Sequence, residues 1–247
     1  MPQFYLAGDW AQSDQAPLIC DIHTDLAHHL RVRRINDSDS FSIFDGKGHT
    51  AKARLLSLSK QSGKIAITHI ETDLHRESPY RIELIQGLAG GDKMDWIIEK
   101  AVETGVAQII PVECERSVLR LHSDHKRSEK RLAHWCAIAE AACEQCDRTI
   151  IPQIGAVQDY KNAIGATNAK IKVLLSPNTN DSFERFLHQQ TPEDICIAIG
   201  PEGGHSPNEE ALAQQAGFEI LSLGPRVLRT ETAGIVAITA VHSVWNL

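Results

Sequence analysis

The sequence predicts an α/β protein preceded by a small β-barrel. Three observations carry that expectation. From residue 80 onward, strand-length apolar runs alternate with helical patterns, the signature of strands and helices layered on one sheet. Two of those runs, residues 195–199 and 218–223, end in glycine-containing loops, GPEGGHSPN and GPRVLR, and a helix follows each loop. Before about residue 72 the chain reads instead as short strands with turn signals between them.

The N-terminal part is expected to hold a short helix, residues 25–34 (DLAHHLRVRR), which ends in a basic cluster. Residues 41–58 read strand, turn, strand around Asp45-Gly46, a hairpin signal. Residues 64–70 (KIAITHI) alternate as a further strand. His28 and His29 are adjacent, so they do not share a helix face, and they lack partners at metal-ligand spacing. They are expected as exposed histidines.

A polar, proline-containing stretch near residues 74–79 marks the boundary, giving domains 1–73 and 74–247. Residues 80–88 then form a strand. Residues 92–104 form an amphipathic helix with Trp96, Ile97, Lys100 and Ala101 at helical spacing, ended by Gly105. Residues 106–112 form the next strand, and residues 128–146 a long helix rich in alanine. Cys136 and Cys146 on that helix stand roughly 15 Å apart, too far for one tetrahedral metal site, and no metal is expected. A third strand (172–176), stopped by Pro177, and a helix (182–190) lead to the strand at 195–199. Pro207 opens the next helix, with Glu209 and Glu210 suiting its dipole. Thr230 is the expected N-cap of the last helix, 231–244, which is apolar nearly all round and calls for burial on several sides, naturally at a subunit interface.

The 247 residues suffice for one large or two small domains. No apolar run has the length of a membrane span, no signal peptide is visible, and six dispersed cysteines fit a reduced cytoplasmic setting. Residues 1–72 carry 8 Lys/Arg and 8 Asp/Glu, so the whole net charge of −7 lies in residues 73–247 (17 against 24). Within that acidic part, Arg116, Arg120, Lys126, Arg127, Lys130 and Arg131 form a local basic stretch, readable as an RNA contact or as a solvated helix. Neither glycine loop fits GxGxxG or GxxxxGK[ST], which argues against a nucleotide di- or triphosphate. Two adjacent strands ending in glycine loops instead form two walls of one pocket.

GPEGGHSPNE (200–209) followed by LGPRVLRTETA (223–233) closely resembles two signature motifs of the RsmE family, RNA methyltransferases of the SPOUT class. Residues 92–118 and 139–154 are also similar to family segments in order and spacing. The resemblance implies a SPOUT-type α/β knot, with a C-terminal trefoil knot, behind an N-terminal PUA-like RNA-binding β-barrel. It implies S-adenosylmethionine as cosubstrate without a metal, a homodimer, and methylation of N3 of a uridine in 16S rRNA of the small ribosomal subunit. A related enzyme acting on tRNA, or a non-catalytic RNA-binding assembly factor, is the alternative.

Carried over by position, the cofactor-binding residues are Leu175, Ile199, Gly200, Gly203, Gly204, Leu223, Gly224, Val227, Leu228 and Thr230. Arg229 is the candidate for holding a uracil carbonyl. Glu202 could orient the ring, help remove the proton or brace the loop. Arg31, Arg33 and Arg34, with Lys47 and Lys52 behind them, are candidates for phosphate contacts, and Lys93 for a substrate contact. His205 stands where family members often carry an aromatic or apolar residue, and a surface loop histidine is expected there.

Overall fold

A computed structural model describes residues 3–13, 17–37 and 39–245. They fall into two compact units, one running through Glu77 and taking back Cys143–Ile151, the other comprising Ser78–Ala142 and the chain from Pro152 on.

In the first unit a five-stranded sheet has the order β1-β3-β4-β5-β2. Its strands are β1 (Gln3–Tyr5), β2 (Leu18–Ile22), β3 (Ser40–Phe44), β4 (His49–Leu58) and β5 (Gly63–Thr72), with helix α1 (Thr24–Val32) after β2. The Asp45-Gly46 signal sits in the turn between β3 and β4, which pair antiparallel. Strict alternation on β4 sends Ala51, Ala53 and Leu55 inward and Lys52, Arg54 and Leu56 outward. The inward set meets Ile65 and Ile67 of β5, Phe41 and Ile43 of β3, and Leu26, Ala27 and Leu30 of α1 in one core. The segment 143–151 is tied in by Glu77. One carboxylate oxygen of Glu77 accepts from Arg148 Nη2 at 2.6 Å, and the other from the backbone N–H groups of Thr149 and Ile150 at 3.2 Å each. Arg148 is buried and the Glu77 side chain is nearly so, and the guanidinium and two amides together satisfy its carboxylate.

The second unit is built on a seven-stranded sheet whose strand pairs are all parallel. Its order is β12-β10-β11-β6-β7-β8, with β9 also on β7. In chain order the elements are β6 (Ile82–Gly87), α2 (Lys93–Glu103), β7 (Gln108–Glu113), α3 (His125–Cys146), β8 (Gln153–Ile154), β9 (Gln158–Asp159) and α4 (Tyr160–Ala166). There follow β10 (Ile171–Leu175), α5 (Phe183–His188), β11 (Ile195–Ile199), α6 (Pro207–Gln215), β12 (Glu219–Leu221) and α7 (Thr230–Trp245). The continuous apolar run on β11 is buried at every position, as expected of a central parallel strand covered on both faces.

Three sequence expectations need correction. Trp96 does not belong to the buried face of α2. That face is Met94, Ile97, Ile98, Ala101 and Val102, and Trp96 lies on its flank, 41% exposed. Helix α3 starts at His125 rather than 128, because Asp124 accepts from the Arg127 and Ser128 backbone amides. Thr230 is the first residue of α7 rather than its cap, since the carbonyl that accepts the first helical amides is that of Arg229. Within the chain, α7 buries one face, Gly234, Ala237, Ile238, Val241 and Trp245, against α2, α5 and β11, and Val236 on another side is exposed. Among the described residues no helix is long and apolar enough to cross a membrane.

Candidate functional site

The carboxyl ends of β6, β7, β10, β11 and β12 all lie on one edge of the sheet, the edge where open α/β sheets bind ligands. Strand β10 runs into Leu175, Ser176 and Pro177. Strand β11 runs into Gly200, Pro201, Glu202, Gly203, Gly204 and His205. Strand β12 is followed by Ser222 through Thr230. These three loops enclose a cavity of about 570 Å³. Every residue assigned from the sequence to this pocket lines it: Leu175, Ile199, Gly200, Gly203, Gly204, Leu223, Gly224, Val227, Leu228 and Thr230, together with Arg229, Glu202 and Lys93.

Beneath the cavity runs a short buried chain of hydrogen bonds. Gln86, fully buried on β6, donates from Nε2 to the Gly87 carbonyl at 3.0 Å and to Thr230 Oγ1 at 2.9 Å. Thr230 Oγ1 in turn donates to the Gly200 carbonyl at 2.7 Å. Thr230 therefore pins the start of α7 to the end of β11 instead of capping its own helix. Gln86 Oε1 has no partner among the described residues. A further constraint is Gly87, where a Cβ would stand 2.5 Å from Pro201 N and 2.6 Å from Pro201 Cδ. Only a glycine lets the Gly200-Pro201 backbone lie directly on the end of β6.

Glu202 reaches away from its loop. Its Oε1 accepts from Lys93 Nζ at 2.8 Å and from Gly90 N–H at 2.9 Å. Partial burial raises the Glu202 carboxyl pKa, but the hydrogen bonds from Lys93, Gly90 and its own backbone outweigh that and hold it below the usual range. At neutral pH it is an ionised brace. Arg229 extends outward, with its side chain 81% exposed and Nη1 3.9 Å from Glu231 Oε1.

His205 is the clearest departure from expectation. It is not on the surface: it is 5% exposed, its ring stands 5.4 Å from that of Tyr160, and Nε2 has no partner among the described residues. Burial pushes the imidazole pKa down to about 4. In the unfolded chain it takes its proton near 6.5, so between those two values the unfolded state binds more protons than the folded one. Stability is full above about pH 6.5 and falls toward pH 4, by about 3 kcal/mol for this group. Urea unfolding at pH 7.5 and pH 5 should show about 2 kcal/mol of that loss in the native protein and a smaller loss in His205→Phe, which keeps the ring contact without the proton.

The first three predicted RNA contacts belong to the first unit. Arg31, Arg33 and Arg34 are exposed at the end of α1. Arg34 has φ 55°, in the turn where Ile35 N–H donates to the Leu30 carbonyl. A left-handed position usually held by glycine costs an arginine about 1 kcal/mol. Lys47 pairs with Asp9 at 3.0 Å, and Lys52 points out from β4. Of the later basic stretch, Arg120 is bound to Glu113 and to the carbonyls of Cys114 and Glu115, and Arg116 lines the cavity. His28 and His29 are exposed on α1, and among the described residues no group of three or more His, Cys, Asp or Glu is placed to hold a metal.

Sequence reasoning missed Gly87 and Gln86, and read Arg116 only as part of a basic stretch, not as a residue of the cavity. The signal for each was position: all three sit at or just past the carboxyl end of a strand on the pocket edge.

An RNA methyltransferase domain family matches residues 76–242, more than half of the chain, and an RNA methyltransferase PUA domain family matches residues 23–68. Ribosomal RNA small subunit methyltransferase E of Bacillus subtilis is 31% identical over 250 residues, covering 98% of this chain and 96% of the relative. The enzyme of the same name from Buchnera aphidicola subsp. Acyrthosiphon pisum is 32% identical, covering 87% of this chain and 84% of its own. The crystal structure of a ribosomal RNA small subunit methyltransferase E from Neisseria gonorrhoeae bound to S-adenosyl methionine superposes with a TM-score of 0.89 at 36% identity, over 99% of this chain and 98% of that one. A putative methyltransferase from Legionella pneumophila with bound SAM gives 0.90 at 30%, over 98% and 97%. A parallel α/β sheet bearing the pocket loops, a PUA domain ahead of it and likeness along almost the whole chain agree: the chain belongs to the ribosomal RNA small subunit methyltransferase E family, the RsmE family its loop motifs resemble.

Proposed function

We propose that the protein transfers a methyl group from S-adenosylmethionine to N3 of a uridine in 16S rRNA of the small ribosomal subunit. The observation that carries this reading is the convergence of three strand-end loops on one cavity, with the glycines of two of them presenting bare backbone. Its volume of about 570 Å³ lies within the range of small-molecule pockets. Leu175, Ile199, Leu223, Val227 and Leu228 supply apolar walls for an adenine, and Gly200, Gly203, Gly204 and Gly224, lacking side chains, let a ligand approach the backbone closely. Thr230 fixes the floor through Gly200. S-adenosylmethionine supplies a methyl group already activated by its sulfonium, so alignment is the protein's main task.

Arg229, at the exposed lip, holds a uracil carbonyl and stabilises the negative charge that develops as N3 loses its proton. Glu202, kept ionised by Lys93, orients the loop and the base above it rather than serving as a strong base. The first unit, which runs to Glu77 rather than 73 and takes in Cys143–Ile151, acts as a PUA-like β-barrel that grips RNA through Arg31, Arg33 and Arg34, and the second unit acts as the catalytic domain. The C-terminal segment threads a trefoil knot, and the exposed Val236 side of α7 belongs to a homodimer interface. An rRNA substrate fits a cytoplasmic setting.

Methyl transfer from labelled S-adenosylmethionine tests the reading. The acceptors are small subunits, naked 16S rRNA and tRNA from cells lacking the gene, with the labelled nucleoside identified by mass spectrometry. Label in 3-methyluridine of 16S rRNA is expected. Label only in tRNA moves the substrate, and no label with cofactor still bound leaves an assembly factor. Light scattering on the same preparation reads the dimer: a monomer mass overturns that part.

A further inference from the structure

The loop that carries Gly200, Gly203 and Gly204 has no regular structure and three glycines, the residue type that loses most conformational freedom on ordering. Something outside the loop must hold it. On one side that is Lys93 with Gly90, acting on Glu202. On the other side is the segment that follows β7. Arg116 Nη1 donates to the carbonyls of Gly203 and His205, each at 3.0 Å. The backbone there is packed as closely as it can be, since a Cβ on Gly203 would stand 2.8 Å from Arg116 Cβ.

Arg116 is itself held in place. The Glu115 N–H donates to Glu209 Oε1 at 2.8 Å, and Asn208 Nδ2 donates to Glu115 Oε1 at 3.0 Å. Glu209 closes the capping box of α6, accepting from Ser206 N–H at 2.8 Å. Arg120 ties down the carbonyls of Cys114 and Glu115. The strap from 113 to 120 is thus a rigid brace, and its one cation aimed at the glycine loop is Arg116. Bonds from a charged donor, here to the carbonyls on either side of Gly204, are stronger than neutral ones.

We propose that Arg116 is a positioning residue: its guanidinium holds Gly203, Gly204 and His205 in the conformation that receives the cofactor. The inference rests on the cofactor assignment made above. It is distinct from a direct contact with the cofactor's amino-acid end, and two ligands separate the two roles. S-adenosylmethionine carries the methionine ammonium and carboxylate, whereas 5′-methylthioadenosine keeps the adenosine and lacks them. A loop that is out of place costs both ligands alike.

Calorimetric titration of the full-length protein provides the test, with Arg116→Ala, with Arg116→Met, which keeps the aliphatic stem packed on Gly203, and with Arg116→Lys. Both ligands are expected to bind Arg116→Ala and Arg116→Met about tenfold or more weakly, by the same factor. Arg116→Lys should recover most of the loss for both, and the KM for S-adenosylmethionine should rise more than kcat falls. Should Arg116→Ala lose cooperative unfolding, Arg116→Met decides alone. Unchanged binding of both ligands by that variant, or a loss confined to S-adenosylmethionine, overturns the proposal. Absence of binding by the unsubstituted protein overturns the cofactor assignment instead.

Discussion

Gly87→Ala is expected to remove most cofactor binding while Gly204→Ala leaves much of it. The two glycines are constrained in opposite ways. At Gly87 a methyl group meets Pro201 N at 2.5 Å, Pro201 Cδ at 2.6 Å and the Gly200 carbonyl carbon at 2.9 Å. The atoms in the way are backbone and a proline ring, so no side chain can swing aside. Either β6 or the loop after β11 has to move. Overpacking of this kind costs about 1–3 kcal/mol and occasionally more, and here the strain falls on the cavity floor, where Gln86, Thr230 and Gly200 are joined. A loss of roughly a hundredfold in affinity corresponds to the upper part of that range. At Gly204, by contrast, a Cβ meets nothing within 4 Å, but φ is +68°. The cost is then the left-handed penalty alone, about 1–2 kcal/mol. Titration of S-adenosylmethionine into both variants checks the ordering, and equal losses would sink it.

Arg229→Ala should lower kcat by about 10²–10³-fold, the usual effect of removing one donor to a developing oxyanion. Cofactor affinity should change little. The side chain is 81% exposed, its nearest carboxylate oxygen is 3.9 Å away, and no packing depends on it. What the backbone of Arg229 does, accepting the first amides of α7, survives the substitution. Single-turnover methylation of 16S rRNA at saturating cofactor, beside a cofactor titration, reads the two quantities separately. A drop in cofactor binding as large as the drop in rate would place Arg229 in the cofactor site instead. A normal rate would remove it from the reaction.

Much of this was legible because the elements concerned obey local rules. The run ICIAI on β11 is apolar throughout and its residues are buried throughout, since a central parallel strand has no polar face. Pro207, with Glu209 and Glu210 in the first turn, marked the start of α6, and the structure adds a capping box there between Ser206 and Glu209. What was not legible depends on distant partners. Strands β8 and β9 are two residues each and exist only by pairing with β7. Trp96 reads as a core residue by hydrophobicity, but the face of α2 is set by Met94, Ile97, Ile98, Ala101 and Val102, and a tryptophan two positions from Met94 falls outside it. His205 reads as a polar loop residue, and only the fold shows that Tyr160 and the Arg116 strap close over it. Thr230 has the right chemistry for a cap, yet Gln86 and Gly200 compete for its hydroxyl and win. The pocket loops were recognisable as a pair, whereas the residues that brace them from β6 and from beyond β7 carry no motif of their own.

The return of residues 143–151 to the first unit has a consequence for synthesis. A ribosome releases the chain from its N-terminus, at about 5–20 residues per second. The strands of the first unit emerge early, but Glu77 then has neither Arg148 nor the amides of Thr149 and Ile150 to satisfy it. The Gly46 and Gly48 ends of the β3–β4 turn likewise wait for Ile151 and Thr149. The part of the protein translated first is therefore not completed first: its last stitches arrive only after β6, α2, β7 and most of α3 have been made. A gene fragment that stops at residue 77 encodes a half-closed seam with an unpaired carboxylate in it, and the contacts of that unit are complete only once the chain extends through Ile151.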